Sequence, residues 1–135
     1  RQLAGETNLV RAARAIQAWG PKTLIIKRGE HGALMLNGRD WFALPALPLE
    51  RVEDPTGAGD CFAGGTVGYL ARAMRFDDAA LRRAMVYGSV MASFTVEAFS
   101  LERLWTLTDA EIRTRYQSFE RLVRFPALSE AQGGT

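Results

Sequence analysis

Apolar residues recur at helical spacing near the start of the chain. Leu9, Val10, Ala13, Ile16 and Ala18 or Trp19 follow Thr7 or Asn8, either of which can cap a helix, and Gly20-Pro21 stops it. Thr23-Leu24-Ile25-Ile26-Lys27 is a β-rich run with little alternation, the pattern of a strand covered on both faces, as in a parallel sheet under helices. Gly29 and Gly32 bracket a turn, and Ala33-Leu34-Met35-Leu36 resumes a strand. Asn37-Gly38 predicts a two-residue hairpin that returns through Trp41-Phe42-Ala43-Leu44. Pro45 and Pro48 make the next segment a loop or a sheet edge.

Beyond Asp54 the pattern becomes helical. Gly57-Ala58-Gly59-Asp60 opens a helix with Phe62, Thr66, Tyr69, Leu70 and Ala73 facing inward. Gly64, Gly65 and Gly68 each weaken it by about 1 kcal/mol relative to alanine, so their presence predicts close approach of a neighbouring backbone or ligand. A further helix, capped by Asp77 or Asp78, runs through Leu81, Ala84, Met85, Gly88, Met91, Ala92 and Thr95. The last helix carries a full entry signature: Thr108 and Glu111 as capping box, Leu107 and Ile112 as hydrophobic staple. Ile112, Tyr116, Phe119 and Val123 form its apolar stripe. Helices following strands give an α/β class, with few strands for the helices to cover.

Composition changes this picture little. The 135 residues are 47% hydrophobic and 24% charged, an ordinary globular balance sufficient for one domain. Seventeen basic and 15 acidic side chains leave a net charge of +2, and the arginines are scattered without interleaved aromatics, which argues against a nucleic-acid partner. The longest uncharged stretches, 61–71 and 84–96, fall short of the roughly 20 residues that cross a bilayer, so no membrane association is expected. Cys61 is the single cysteine and gives no sign of an oxidising compartment; a cytoplasmic location is the expectation. Beside Asp60, it reads as a small packing residue. His31 lacks a second ligand at zinc spacing, and Trp19, Trp41 and Trp105 read as packing residues.

The chemistry concentrates in Asp54-Pro55-Thr56-Gly57-Ala58-Gly59-Asp60. Small residues ahead of a helix leave backbone N–H groups uncovered at the positive end of its dipole, a place that favours an anion. Asp60 would repel a phosphate held there. The conflict resolves if Asp60 is a general base that takes the proton of a hydroxyl attacking that phosphate. Two other phosphate motifs fail: the chain has no Gly-Lys pair for a Walker A loop, and Phe62 interrupts a Gly-x-Gly-x-x-Gly fingerprint.

This segment, with Phe62 and Gly64-Gly65, resembles the C-terminal signature of the ribokinase family, the PfkB carbohydrate kinases. The run Thr23 to Leu34 is similar to the family's strand-turn-strand beside the nucleotide, and Ala92 to Glu97 to its late helix near adenine. The resemblance implies ATP-dependent phosphorylation of a hydroxymethyl group on a sugar or nucleoside, with Mg2+ and, as a further candidate, K+. It implies Asp60 as catalytic base and the N–H groups of Gly57, Ala58, Gly59 and Asp60 as anion hole. It places Lys27, Gly29 and Gly32 at the nucleotide, and Asp54 and Thr56 at a monovalent cation completed by the loop 97–100. Pro55 stands where threonine is usual and Thr66 where an apolar residue is commoner. The family's Asn-x-x-Glu motif would fall just ahead of Arg1, so Glu6 reads as a helix N-terminal charge. The expectation is thus the C-terminal half of a ribokinase-like doubly wound α/β domain over residues 1–128, lid and N-terminal strands absent, inactive alone. A disordered tail is expected at 129–135. A homodimer is one assembly open to the full-length enzyme. The alternatives are a nucleoside kinase of the same family and a non-catalytic nucleotide- or phosphate-binding module.

Overall fold

A computed structural model of the chain describes residues 2–127; the tail expected from 129 onward lies outside the described residues. Asn8 opens helix α1 (Leu9–Ala18), its side-chain oxygen accepting from the N–H groups of Val10 and Arg11. The buried positions of α1 are Ala12 and Ala13, while Val10 and Trp19 lie exposed, against the expected stripe.

Three strands follow: β1 (Thr23–Lys27), β2 (Ala33–Asn37) and β3 (Asp40–Leu44), in the order β1-β2-β3. Both pairings are antiparallel, from Thr23↔Asn37 to Lys27↔Ala33 and from Ala33↔Leu44 to Asn37↔Asp40. Among the described residues β1 is half-buried and pairs with β2 alone, antiparallel rather than in the parallel manner expected. The reason is the connection. Residues 28–32 form a single 3-10 turn, closed by Arg28 N–H donating to the Gly32 carbonyl at 2.8 Å, far too short for a crossover helix. The second turn also shifts by one residue. Gly38 and Arg39 are its central pair, with Gly38 at φ +59, and Asn37 stays in β2.

Coverage on both faces is nevertheless real. Met35 and Leu36, adjacent in β2 and hence facing opposite ways, are both buried. Met35 joins the main core with Ala33, Leu44, Phe62, Leu81, Met85, Val90, Phe94 and Phe119. Helix α1 packs against β1.

Helices α2 (Ala58–Ala73) and α3 (Asp78–Thr95) make the principal packing contact of the fold. Asp77 caps α3, accepting from Ala80 N–H. Phe62 and Thr66 of α2 are buried, and Thr66 satisfies its hydroxyl by donating to the Phe62 carbonyl at 2.7 Å. A Cβ on Gly65 would stand 3.0 Å from the Gly88 Cα, and one on Gly88 would strike the Thr66 hydroxyl, so the two glycines let the helices close on each other. Gly64 and Gly68 do not share this role: they face open space beside exposed Ala63, Val67 and Ala71.

A one-turn helix that the sequence did not predict, α4 (Glu102–Trp105), leads to α5 (Asp109–Val123). The capping box of α5 forms as expected, Thr108 and Glu111 bonding reciprocally. Phe119 is buried, Ile112 and Tyr116 are half-buried, and Val123 is exposed.

Candidate active site

The anion loop forms at the start of α2. Gly57 is the cap residue with φ +80, a left-handed conformation that a side chain would strain. The helical ladder begins with Cys61 N–H donating to the Gly57 carbonyl at 2.9 Å, so the N–H groups of Gly59 and Asp60 precede it. Ala58 differs from the expectation: its N–H donates to the Pro55 carbonyl at 3.3 Å, closing the turn that presents the loop. Asp60 lies in the first turn of α2 with its side chain exposed, on the same side of the helix as Gly64, Val67 and Ala71.

Lys27 ends β1 within reach of this loop. Its ammonium donates to the Gly59 carbonyl at 3.0 Å, tying the sheet to the first turn of α2. Lys27, Gly29 and Gly32 all line one cleft of about 730 Å3 that also takes in Ala58, Gly59 and Phe62. The far wall is mostly apolar, with Leu47, Val52, Val96 and Phe119, and carries the hydroxyl-bearing Ser89 and Ser93. Gly32, at φ +81, also has a packing task, since a Cβ there would strike the Leu44 carbonyl. Gly29, at φ +57, faces open space.

Asp54 stands beside the loop. Its carboxylate accepts from Thr56 N–H at 2.9 Å, and hydrogen bonds from the Thr56 side chain and backbone, with a further one from the Ser100 backbone, hold its pKa below the ordinary value. The segments around 54 and 100 therefore meet. Glu53 N–H adds to this by donating to the Val96 carbonyl at 2.8 Å. Ser100 has φ +56, a conformation suited to glycine. The Glu97 side chain does not turn toward Asp54: Arg103 and Arg115 hold it, at 3.2 and 2.5 Å.

The structure thus brings Lys27, Gly29, Gly32, Ala58 and Gly59 to one cleft; Gly57 and Asp60 adjoin these last two at the start of α2 without lining the cleft, and Asp54 and Thr56 lie in the approach to the loop. Sequence reasoning missed the lining contributed by Leu47, Val52, Ser89 and Phe119. For Leu47 and Val52 the available signal was length: residues 45–57 contain no helix or strand, and loops that long inside a compact fold commonly carry function.

Residues 1–105 match the profile described as pfkB family carbohydrate kinase. The chain is 43% identical over 72 residues to a cytidine kinase of Thermococcus kodakarensis, covering 52% of this chain and 26% of that protein. It is 36% identical over 97 residues to the aminoimidazole riboside kinase of Salmonella typhimurium, covering 72% of this chain and 30% of that protein. Among solved structures, the Salmonella enterica aminoimidazole riboside kinase complexed with aminoimidazole riboside and an ATP analog superposes with TM-score 0.73 at 32% identity, over 85% of this chain and 38% of that one. A fructokinase from Vibrio cholerae bound to fructose, ADP and calcium superposes with TM-score 0.76 over 85% of this chain and 37% of that one, a likeness of fold at 20% identity. The matched part spans 26% and 30% of the length of these two curated relatives.

Proposed function

The chain belongs to the pfkB family of carbohydrate kinases, with the ribokinase-like α/β fold, and on that premise we propose that its protein transfers the γ-phosphoryl group of ATP to a hydroxymethyl group of a sugar or nucleoside. The observation that carries this reading is the start of α2, where unbonded N–H groups of Gly59 and Asp60 adjoin a carboxylate in the same turn. The N–H groups stabilise charge on the transferred phosphoryl group, and Asp60 takes the proton of the attacking hydroxyl. Lys27 adds positive charge at the same end of the cleft, and the apolar wall with Ser89 and Ser93 suits a nucleotide base.

ATP fits the cleft in chemistry: donors at one end, apolar surface and hydroxyls at the other. For a monovalent cation the expected residues Asp54 and Thr56 meet the Ser100 segment, and Asp54 supplies the carboxylate; the bonds it accepts there from Thr56 and the Ser100 backbone are donor contacts that a cation would have to share. Mg2+ would be held largely by the phosphates of ATP and by water, with one or two carboxylates at most; no residue of this chain is assigned to it, and among the described residues no group of three or more His, Cys, Asp or Glu side chains converges.

The acceptor is the finer question. The likeness to a cytidine kinase and an aminoimidazole riboside kinase favours a nucleoside or riboside over a free sugar. Release of ADP by the complete polypeptide with cytidine, aminoimidazole riboside, ribose and fructose decides among them. In the same assay Asp60→Asn lowers turnover by at least about 100-fold while ATP binding survives. Near-normal turnover removes Asp60 from the chemistry, and ATP binding without turnover of any acceptor favours a non-catalytic module.

A further inference from the structure

Behind the wall of the cleft lies a chain of four charged side chains. Arg115 pairs with Glu97 at 2.5 Å, Glu97 with Arg103 at 3.2 Å, and Arg103 with Glu111 at 2.5 Å. Arg115 is the most enclosed, its side chain 19% exposed. Its guanidinium carbon sits 3.5 Å from the centroid of the buried Phe94 ring, and its Nη1 donates to the Ser93 hydroxyl at 3.4 Å. One side chain of α5 thus grips three residues at the end of α3: Ser93, Phe94 and Glu97.

Phe94 and Glu97 are flanked in the chain by residues that line the cleft. Ser93 and Val96 line it, as does Phe119, one turn beyond Arg115 on α5. The Val96 carbonyl fixes Glu53, so the wall is bonded directly to the segment carrying Val52, Asp54 and Pro55. Charge explains the arrangement. Glu97 lies just past the C-terminal end of α3, where the helix dipole disfavours a carboxylate, and two arginines offset that penalty. Apolar residues would serve a merely structural contact at least as well. Glu111 and Arg115 both lie beyond the family match at 1–105.

We infer that Arg115 is a positioning residue for the nucleotide cleft, holding the Ser93–Val96 wall through Phe94, Ser93 and Glu97 and, through Val96 and Glu53, the approach to the anion loop. The inference rests on the nucleotide reading above and adds to it a residue that touches no part of the nucleotide.

The test compares the complete polypeptide with its Arg115→Ala, Arg115→Lys and Glu97→Gln variants. ATP affinity is measured by calorimetry, kcat and KM by ADP release, and amide exchange over residues 50–56 and 92–100. In Arg115→Ala the Kd and KM for ATP rise about tenfold, kcat and the acceptor KM change less than about twofold, and exchange accelerates in both segments. Arg115→Lys falls between, because lysine keeps the charge and loses the planar stacking and fork geometry. Unchanged ATP affinity in folded Arg115→Ala overturns the inference. So does a parallel loss of kcat and affinity that follows the folded fraction. Should Arg115→Ala fail to fold, Arg115→Lys and Glu97→Gln decide by the same criteria. Absence of ATP binding by the unaltered protein overturns the nucleotide reading itself, and this inference with it.

Discussion

Four glycines in two adjacent helices show how much depends on facing. Gly65 and Gly88 sit where α2 and α3 close on each other, and an added methyl would meet backbone or an enclosed side chain. Gly88→Ala is expected to destabilise the fold by about 2 kcal/mol through overpacking. Gly64 has nothing within 4 Å of an added Cβ, so Gly64→Ala gains helix propensity and stabilises by up to about 1 kcal/mol. Urea unfolding of the two variants measures both, and effects of equal sign would contradict this packing. The sequence marked Gly64, Gly65 and Gly68 alike, because the identity of a residue does not reveal which helix face has a neighbour. Residue-level chemistry was more legible. The DPTGAGD segment placed a helix start at Gly57-Ala58, where α2 begins, whereas nothing in the sequence showed that Lys27 would bond the Gly59 carbonyl or that Pro55 would engage Ala58.

At the scale of elements, helix ends were read best. Asn8, Asp77 and Thr108 all cap as their positions suggested, since capping is a local reaction between a side chain and the next turn. Thr108→Ala is expected to cost about 1 kcal/mol, measured by thermal unfolding. Its partner adds a pH dependence. The side chain of Thr108, Arg103 and the Thr108 backbone lower the Glu111 pKa from 4.5 to about 2. A depressed pKa contributes stability that is present above the unfolded value near 4.5 and lost as pH falls toward 2. Glu111→Gln should therefore be less stable than the parent at neutral pH and nearly equal to it near pH 2, as melting curves across that range would show. Strand direction was misread, because the unalternating run outweighed the short Gly29-to-Gly32 turn. A run such as Thr23–Lys27 has the same composition in either direction, and only the brevity of residues 28–32 forces the antiparallel return. Helix α4 escaped because four residues without a side-chain cap carry no periodic signal.

For the whole molecule, the α/β class followed from the order of elements, while the layers came from contacts that no local pattern encodes. The cleft is the clearest case, since its walls are gathered from β1, the 45–57 segment, α2, α3 and α5. The sheet raises a different matter. It is an open ribbon with β1 and β3 as its two margins among the described residues. An open margin is a ready template for a strand of another chain, and charge is the usual guard against it. β3 begins with exposed Asp40, while β1 carries its only charge at its last residue, Lys27. Handled as this 135-residue chain, the protein should self-associate as its concentration rises, margin to margin through β1. Sedimentation velocity across a concentration series would detect this, and a constant monomer would refute it. Colloidal behaviour in the test tube would then be governed by five residues of backbone rather than by the chain's net charge.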